Sequence, residues 1–378
     1  MTTDLDAPPI LRPTRIEVDL AAIRHNVARF REVTGVEVCA VVKADGYGHG
    51  AAAAARAALD GGATWLTVAL VEEGIALRRA GIDARILLLS EPPVAAIPDL
   101  LDAALVPTVH RGAFIAALDD AGRTRGRPIE VHVKADTGMA RAGIPEADWE
   151  ARLTQLAAAE GLEVTGVQTH FARADEPNLP TTAEQLARFE RFLAIARRLG
   201  IEPRVVHTAN SAGALVHPAA RYTMVRPGIG IYGLSPSAEV DAADHGLVPA
   251  LRLVSEVCAI QRLAAGAPVS YGHTWRAPHD GWLATVALGY ADGVPRALSN
   301  RGEVLLGGRR RPIAGRVCMD AVMVWCDQDE PHVGDPVVLL GAQGGERIRV
   351  EDWAAAADTI TYEIVTQLTA RLPRVHHG

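Results

Sequence analysis

The sequence predicts an α/β protein: an N-terminal (β/α)8 TIM-like barrel over residues 14–245, then a C-terminal, mostly β domain over residues 246–378 that an N-terminal strand within residues 1–13 joins. Two observations predict it. Between Val36 and Tyr232, short apolar runs alternate eight times with longer stretches of helical composition, over the roughly 200–250 residues that such a barrel occupies. Past Gly246 the texture changes to short strand-like runs separated by Gly, Pro, Asn and Asp clusters. The runner-up for the first region is an open doubly wound sheet, but no G-x-G-x-x-G follows its first strand.

The barrel strands are predicted at Val38–Lys43, Trp65–Ala69, Ile86–Leu89, Val106–Val109, Ile129–Ala135, Val164–His170, Val205–Ala209 and Met224–Ile231. They are largely Val, Ile and Leu without polar alternation, as parallel strands buried on both faces must be. Asp19 is the predicted N-cap of a helix whose Leu20, Ile23, Val27 and Phe30 share one stripe. Ala51–Leu59 and Glu72–Ala80 are rich in Ala, Leu and Arg, with Gly just beyond. Thr181-Thr182-Ala183-Glu184 has the capping-box pattern, before a long helix that ends at Gly200. In the second region the predicted strands are Leu251–Leu263, Trp282–Gly289, Glu303–Leu306, Val317–Trp325 and Pro336–Leu340, with one helix at Val350–Ala357.

The 378 residues carry 38 basic and 45 acidic side chains, a net charge of −7, and are 49% hydrophobic. At roughly 150 residues per domain this implies two or three domains with ample apolar cores. Disordered, collagenous and coiled-coil chains have other compositions. The mild negative charge offers no footprint for nucleic acid. No run approaches the ~18–20 apolar residues of a membrane span. The first residues, polar and acidic, lack the basic start and apolar stretch of a secretory signal. Four cysteines, Cys39, Cys258, Cys318 and Cys326, form neither a disulfide framework nor a CxxC pair, and no spacing supports a metal site. The histidines not singled out below, including His376 and His377, read as surface groups. The whole reads as a soluble cytoplasmic protein.

Active sites of such barrels lie at the C-terminal ends of the strands. The polar residues there are Lys43 with Tyr47, Lys134 with Asp136 and Arg141, His170, Asn210 with Ser211, and Arg226 with Gly228. Lys43 closes an apolar run, so partial desolvation can lower its pKa and free its amine as a nucleophile or base. The alternative is a snorkelling strand-end lysine beside a turn. Gly46, Gly48 and Gly50 favour the first reading, because such a loop lets backbone approach a ligand closely.

The segment Val41-Val42-Lys43-Ala44-Asp45-Gly46-Tyr47-Gly48-His49-Gly50 resembles the pyridoxal-phosphate attachment segment of bacterial alanine racemases. Further segments follow in the family's order: Lys134-Ala135-Asp136-Thr137-Gly138-Met139-Ala140-Arg141, Thr169-His170-Phe171-Ala172, Ala209-Asn210-Ser211 and Val225-Arg226-Pro227-Gly228-Ile229. The second region adds Val269-Ser270-Tyr271-Gly272, Gly289-Tyr290-Ala291-Asp292-Gly293, Gly315-Arg316-Val317-Cys318-Met319-Asp320 and Thr361-Tyr362-Glu363-Ile364. The resemblance covers nearly the whole chain.

It implies a fold-type III, pyridoxal 5'-phosphate-dependent enzyme that interconverts L-alanine and D-alanine, and a homodimer whose active sites are shared between subunits. Lys43 would hold the cofactor as a Schiff base and, once released, serve as one of two catalytic bases. Tyr271 of the partner subunit would be the other, on the opposite face. Inverting a stereocentre with two bases needs a proton removed on one face and returned on the other. A phenol, with an ordinary pKa near ~10, acts as a base only if cations favour its phenolate. The resemblance puts His170, and behind it Arg226, near that tyrosine. Arg226 would face the pyridine nitrogen; a guanidinium only donates, so the ring becomes a weaker electron sink. Cofactor binding would further involve Asn210, and the phosphate would rest on Tyr47, Ser211, Tyr362 and the Gly228 and Ile229 amides. Arg141 would meet the substrate carboxylate, assisted by the backbone amide of Met319 of the partner subunit. Lys134 would be carbamylated, an anion that holds Arg141. Cys318, Asp320, Tyr290, Asp45, His49 and Asp292 would be supporting or channel residues. The implied product role is D-alanine for peptidoglycan. The rival readings are a broader amino-acid racemase acting on serine, a non-catalytic pyridoxal-phosphate homeostasis protein, and a fold-related decarboxylase. Proteins of the homeostasis kind generally lack the β-domain. The decarboxylase would need an acid where Arg226 stands.

Overall fold

The structure, a computed structural model, describes residues 12–378. It divides into two compact units: Leu20–Pro249, and Ala250–Gly378 together with the residues up to Asp19.

Strand β1 (Arg15–Asp19) belongs to the second unit, where it pairs antiparallel with Leu251–Leu263 and parallel with Arg374–His377. Ile16 and Val18 are fully buried while Arg15 and Glu17 are not, the period of two that a strand with one covered face requires. This corrects the expected boundaries. The barrel begins at Leu20 rather than at residue 14, and the second unit at Ala250 rather than at 246. The strand that joins the second unit's sheet is Arg15–Asp19, past the expected 1–13, of which residues 1–11 fall outside the described residues.

The first unit is built on eight parallel strands: β2 (Glu37–Val41), β3 (Trp65–Val68), β4 (Arg85–Leu88), β5 (Leu105–Val109), β6 (Ile129–Lys134), β7 (Leu162–Gln168), β8 (Val205–His207) and β9 (Met224–Val225). They pair in the order β8-β7-β6-β5-β4-β3-β2-β9. Amide bonds from Thr223 to the Val206 carbonyl (3.1 Å) and from Arg226 to the Ala209 carbonyl (2.8 Å) bring β9 back to β8 and nearly close the barrel. Helices cover the outside, and Phe114, Leu118, Trp149, Phe189 and Phe192 fill the space between helices and strands. The helix Thr181–Arg198 has Pro180 at its N-cap with no side-chain cap, so the expected capping box is absent. The Thr182 hydroxyl instead reaches the Arg173 carbonyl. At its other end Gly200, at φ +80°, turns the chain as predicted.

The second unit is a sheet, antiparallel except for the parallel pair of β1 and Arg374–His377, around the 13-residue strand Leu251–Leu263. One half of it pairs with β1 and Pro336–Gln343, the other, past an irregularity at Val257/Ala259, with Gly281–Val286. Leu263, Val269, Leu283, Ala314 and Trp325 make a small core of their own. The expected strand Val317–Trp325 begins only at Val322. Before it, the carbonyls of Cys318 and Met319 accept the amides of Tyr290 (2.9 Å) and Ala291 (3.0 Å), which holds this stretch as a loop.

Candidate active site

After β2 the backbone makes an unusual turn. Ala44, Asp45, Gly46 and Tyr47 all have left-handed backbone, with φ of 51°, 52°, 60° and 53°, and Gly48 follows at 78°. Each of the three residues with a Cβ pays about 1–2 kcal/mol for that conformation. Such a run persists only where its surroundings dictate it, and it is characteristic of functional sites. It leaves Lys43 half-buried at the strand's end and turns Tyr47 inward, 7% exposed. Burial pushes the Tyr47 phenol up, so it stays protonated. Gly228 faces it: a Cβ there would lie 2.5 Å from the Tyr47 hydroxyl, so only glycine fits.

Four cations converge at this end of the barrel. Lys43 is held below the usual lysine range by its burial and then by Arg141. Lys134, at the end of β6, is 8% exposed and pulled down to about 8, first by burial and then by Arg226 and Arg141. Arg226, 3% exposed, is lowered to about 10 by burial. Among the described residues no carboxylate lies in ion-pair contact with any of the four. Two of them, Lys134 and Arg226, are buried, Lys43 is half-buried and Arg141 is exposed; buried cations with no anion partner are unfavourable by themselves.

Arg226 is positioned by a chain of imidazoles. Its guanidinium donates to Nδ1 of His207 (2.7 Å) and to Nδ1 of His170 (3.3 Å), and to the carbonyls of Thr169, His207 and Thr208. Because a guanidinium cannot accept, both Nδ1 atoms are acceptors. His207 therefore carries its proton on Nε2 and gives it to Nδ1 of His132 at 2.8 Å. His132 in turn is protonated at Nε2, which meets no partner among the described residues. All three rings are neutral: burial first, then Arg226 for His170 and His207, keeps those two well below the ordinary imidazole range. His132 drops to about 3, by burial and then Arg85 and Arg226. His132 and His207 are wholly buried in β6 and β8, which corrects their assignment to the surface. The sequence signal was their place inside runs of Val and Ile.

An amide cradle completes the barrel mouth. Ser211 Oγ accepts the amides of Gly228 (2.9 Å) and Gly230 (3.1 Å). The Ile229 amide between them, wholly buried, finds no acceptor among the described residues. Asn210 caps the helix Ser211–Val216, its Oδ1 taking the Gly213 amide at 2.9 Å. Lys43, Tyr47, Lys134, Arg141, His170, Asn210, Ser211, Arg226, Gly228 and Ile229 are thus all carried by the barrel unit.

Tyr271, Tyr290, Cys318, Met319, Asp320 and Tyr362 are carried by the second unit. Tyr271 opens a short turn, 71% exposed, over a hollow also lined by Gln261, Val269, Leu283, Cys318 and Met323. Ser270, at φ +62°, fixes that turn by donating from Oγ to the Arg316 carbonyl at 2.7 Å. Met319 is 53% exposed on its loop. Arg371 reaches Asp320 at 2.8 Å and Asp292 at 3.5 Å. Asp292 is fully buried and also meets Arg12 at 2.7 Å. Among the described residues no cluster of His, Cys, Asp and Glu is placed to hold a metal, and no helix is long and apolar enough to cross a membrane.

A barrel with a lysine and further cations at its mouth, followed by a β-unit, is the architecture of one group of amino-acid-converting enzymes, and the comparisons identify the group. Residues 18–236 match the alanine racemase N-terminal domain model, and residues 250–376 the alanine racemase C-terminal domain model. The alanine racemase of Salinispora arenicola is 46% identical over 371 residues, covering 96% of this chain and 98% of that protein. The crystal structure of the alanine racemase from D-cycloserine-producing Streptomyces lavendulae superposes with a TM-score of 0.95 at 40% identity, covering 98% of both chains. The Bacillus anthracis enzyme, solved with bound L-Ala-P, gives 0.90 at 39% identity, covering 98% of this chain and 96% of that one. The chain belongs to the alanine racemase family and so to the isomerases.

Proposed function

We propose that the chain racemises alanine in both directions by a two-base mechanism with pyridoxal 5'-phosphate, as a cytoplasmic homodimer with shared active sites. The observation that carries this reading is the convergence of Lys43, Lys134, Arg141 and Arg226 with no carboxylate paired to them. The cofactor's chemistry suits that donor set. Its phosphate matches the Tyr47 hydroxyl and the unpartnered Ile229 amide beside Ser211. Its aldehyde requires an amine, and Lys43 is the amine with a lowered pKa on the strained turn. When bound, the cofactor acidifies the substrate's α-hydrogen by drawing electrons into its ring.

The protein's own residues do the rest. Lys43 would hold the cofactor through its amine and would take or return a proton on one face of the α-carbon. Tyr271 of the partner subunit does so on the other; its exposure of 71% suits a residue that works across an interface. Arg226, held in place by neutral His170 and His207 with His132 behind them, would offer the cofactor's pyridine nitrogen a donor that gives up no proton. Arg141 binds the substrate carboxylate, helped by the backbone amide of Met319 of the partner subunit. Lys134, low enough in pKa to be partly neutral near pH 8, is suited to carbamylation, which would turn a repulsion of Arg141 into an attraction. Intact mass at high bicarbonate reads that modification directly; an unmodified lysine there refutes it. The β-unit bearing Tyr271 favours a racemase over a cofactor carrier. The cellular role proposed is supply of D-alanine for peptidoglycan.

The test is racemisation of L- and D-alanine by the Tyr271→Phe variant. Loss of a positioned acid–base group lowers the rate by roughly 10²–10⁴-fold, while the cofactor's absorbance persists. Unchanged turnover in both directions would remove Tyr271 from the mechanism. Serine tested beside alanine separates the broader racemase reading.

A further inference from the structure

We propose that Glu73 is a positioning residue for Lys43: its carboxylate ties the turn after β2 to the loop after β3 and so holds the Lys43–Tyr47 segment in the shape that cofactor capture needs. This rests on the function proposed above for Lys43.

The two carboxylate oxygens divide the work. Oε2 accepts the amides of Ala69 (2.8 Å) and Leu70 (3.1 Å), the role of an acidic residue in the first turn of the helix Val71–Arg79. Oε1 reaches 29 residues back along the chain and accepts the Ala44 amide at 2.7 Å. That amide shares its peptide plane with the Lys43 carbonyl. Fixing it therefore fixes ψ of Lys43 and φ of Ala44, the first left-handed residue of the run.

Packing does not explain the strain at this position. Ala44 and Asp45 are exposed, so no buried side chain forces their φ. What holds them is polar: the Ala44 and Asp45 carbonyls accept the Gly48 (3.0 Å) and Gly50 (2.9 Å) amides, Asp45 Oδ1 accepts the Ala51 amide at 2.9 Å, and Glu73 accepts the Ala44 amide. The buried end of the same turn, Gly46 to His49, is secured separately, with His49 Nδ1 within 3.1 Å of the Gly46 and Tyr47 carbonyls. Glu73 is thus the side chain that ties the Lys43 end of the turn, through the Ala44 amide, to a separate loop. Its negative charge also opposes the drop in the lysine's pKa caused by burial and Arg141.

The test compares wild type with Glu73→Gln, Glu73→Asp and the control Glu72→Gln, an exposed acid in the same helical turn. Gln keeps one acceptor for the cap but would set its NH₂ against the other amide. Asp keeps the charge and lacks the reach. Two readouts are taken: hydrogen exchange of the amides of Ala44–Gly48 and of the helix Val71–Arg79 without cofactor, and the affinity for pyridoxal phosphate, with borohydride trapping and mass spectrometry to locate the adduct. Both Glu73 variants should exchange the Ala44–Gly48 amides roughly tenfold faster and bind the cofactor roughly tenfold more weakly. Helix protection should be retained, and Glu72→Gln should match wild type. Unchanged exchange at Ala44–Gly48, or acceleration confined to the helix, overturns the proposal and leaves Glu73 a helix cap. No adduct on Lys43 in wild type overturns the proposed function instead, and the exchange result still decides whether the clamp exists.

Discussion

Lys134 shows how a single residue's environment sets a measurable property. Held at about 8 rather than 10.5, chiefly by burial, its ammonium costs the folded barrel about 3 kcal/mol at pH 7. The unfolded chain binds more protons than the folded one between pH 8 and 10.5. The cost is therefore present in full below pH 8 and fades as pH rises toward 10.5. Lys134→Met should accordingly stabilise the protein at pH 7 in bicarbonate-free buffer, with little gain at pH 10.5, as read by urea unfolding at both values. An equal gain at both would assign the effect to packing. Gly228 gives a second prediction at this scale. A methyl placed 2.5 Å from the Tyr47 hydroxyl must push that side chain away. Gly228→Ala should weaken pyridoxal-phosphate binding by roughly tenfold or more, measured by absorbance titration; full affinity would argue against the phosphate cradle.

Among the elements, the barrel strands were legible because burial on both faces leaves a continuous Val, Ile and Leu run that no local turn can imitate. Trp65–Val68 and Ile129–Lys134 fall within a residue of their expected ends. The N-terminal strand joins the sheet expected for it but lies at Arg15–Asp19 rather than within 1–13, because the pairing of β1 with Leu251–Leu263, more than 230 residues away, decides which residues are used. The edge strands Arg309–Pro312 and Arg374–His377 escaped notice because charged side chains cover exposed edges. In the site, Lys43, Tyr47 and Arg226 were visible from motif and position. Glu73, His132 and His207 were not, since their roles depend on bonds between separate strands and loops. The placement of β1 carries its own prediction. Ile16→Ala should cost about 2–4 kcal/mol and speed hydrogen exchange in Leu251–Leu263 and Arg374–His377 while leaving β2 to β9 protected. Loss of protection confined to the barrel strands would contradict it.

For the whole molecule, the two units carry complementary halves of the proposed chemistry: the barrel supplies Lys43 and the cationic mouth, the β-unit supplies Tyr271 and the Met319 loop. The central claim is that one protomer's Lys43 works with Tyr271 of the partner subunit. Mixing Lys43→Ala and Tyr271→Phe protomers, each inactive alone, tests it most directly. A mixed dimer of this kind has one intact site if the bases come from different chains, and none if both come from the same chain. After free exchange of subunits the activity for alanine should rise to about a quarter of the wild-type rate, since about half the dimers are mixed and each has one of two sites restored. A mixture that stays as inactive as its parents, with subunit exchange verified by native mass spectrometry, would contradict the account.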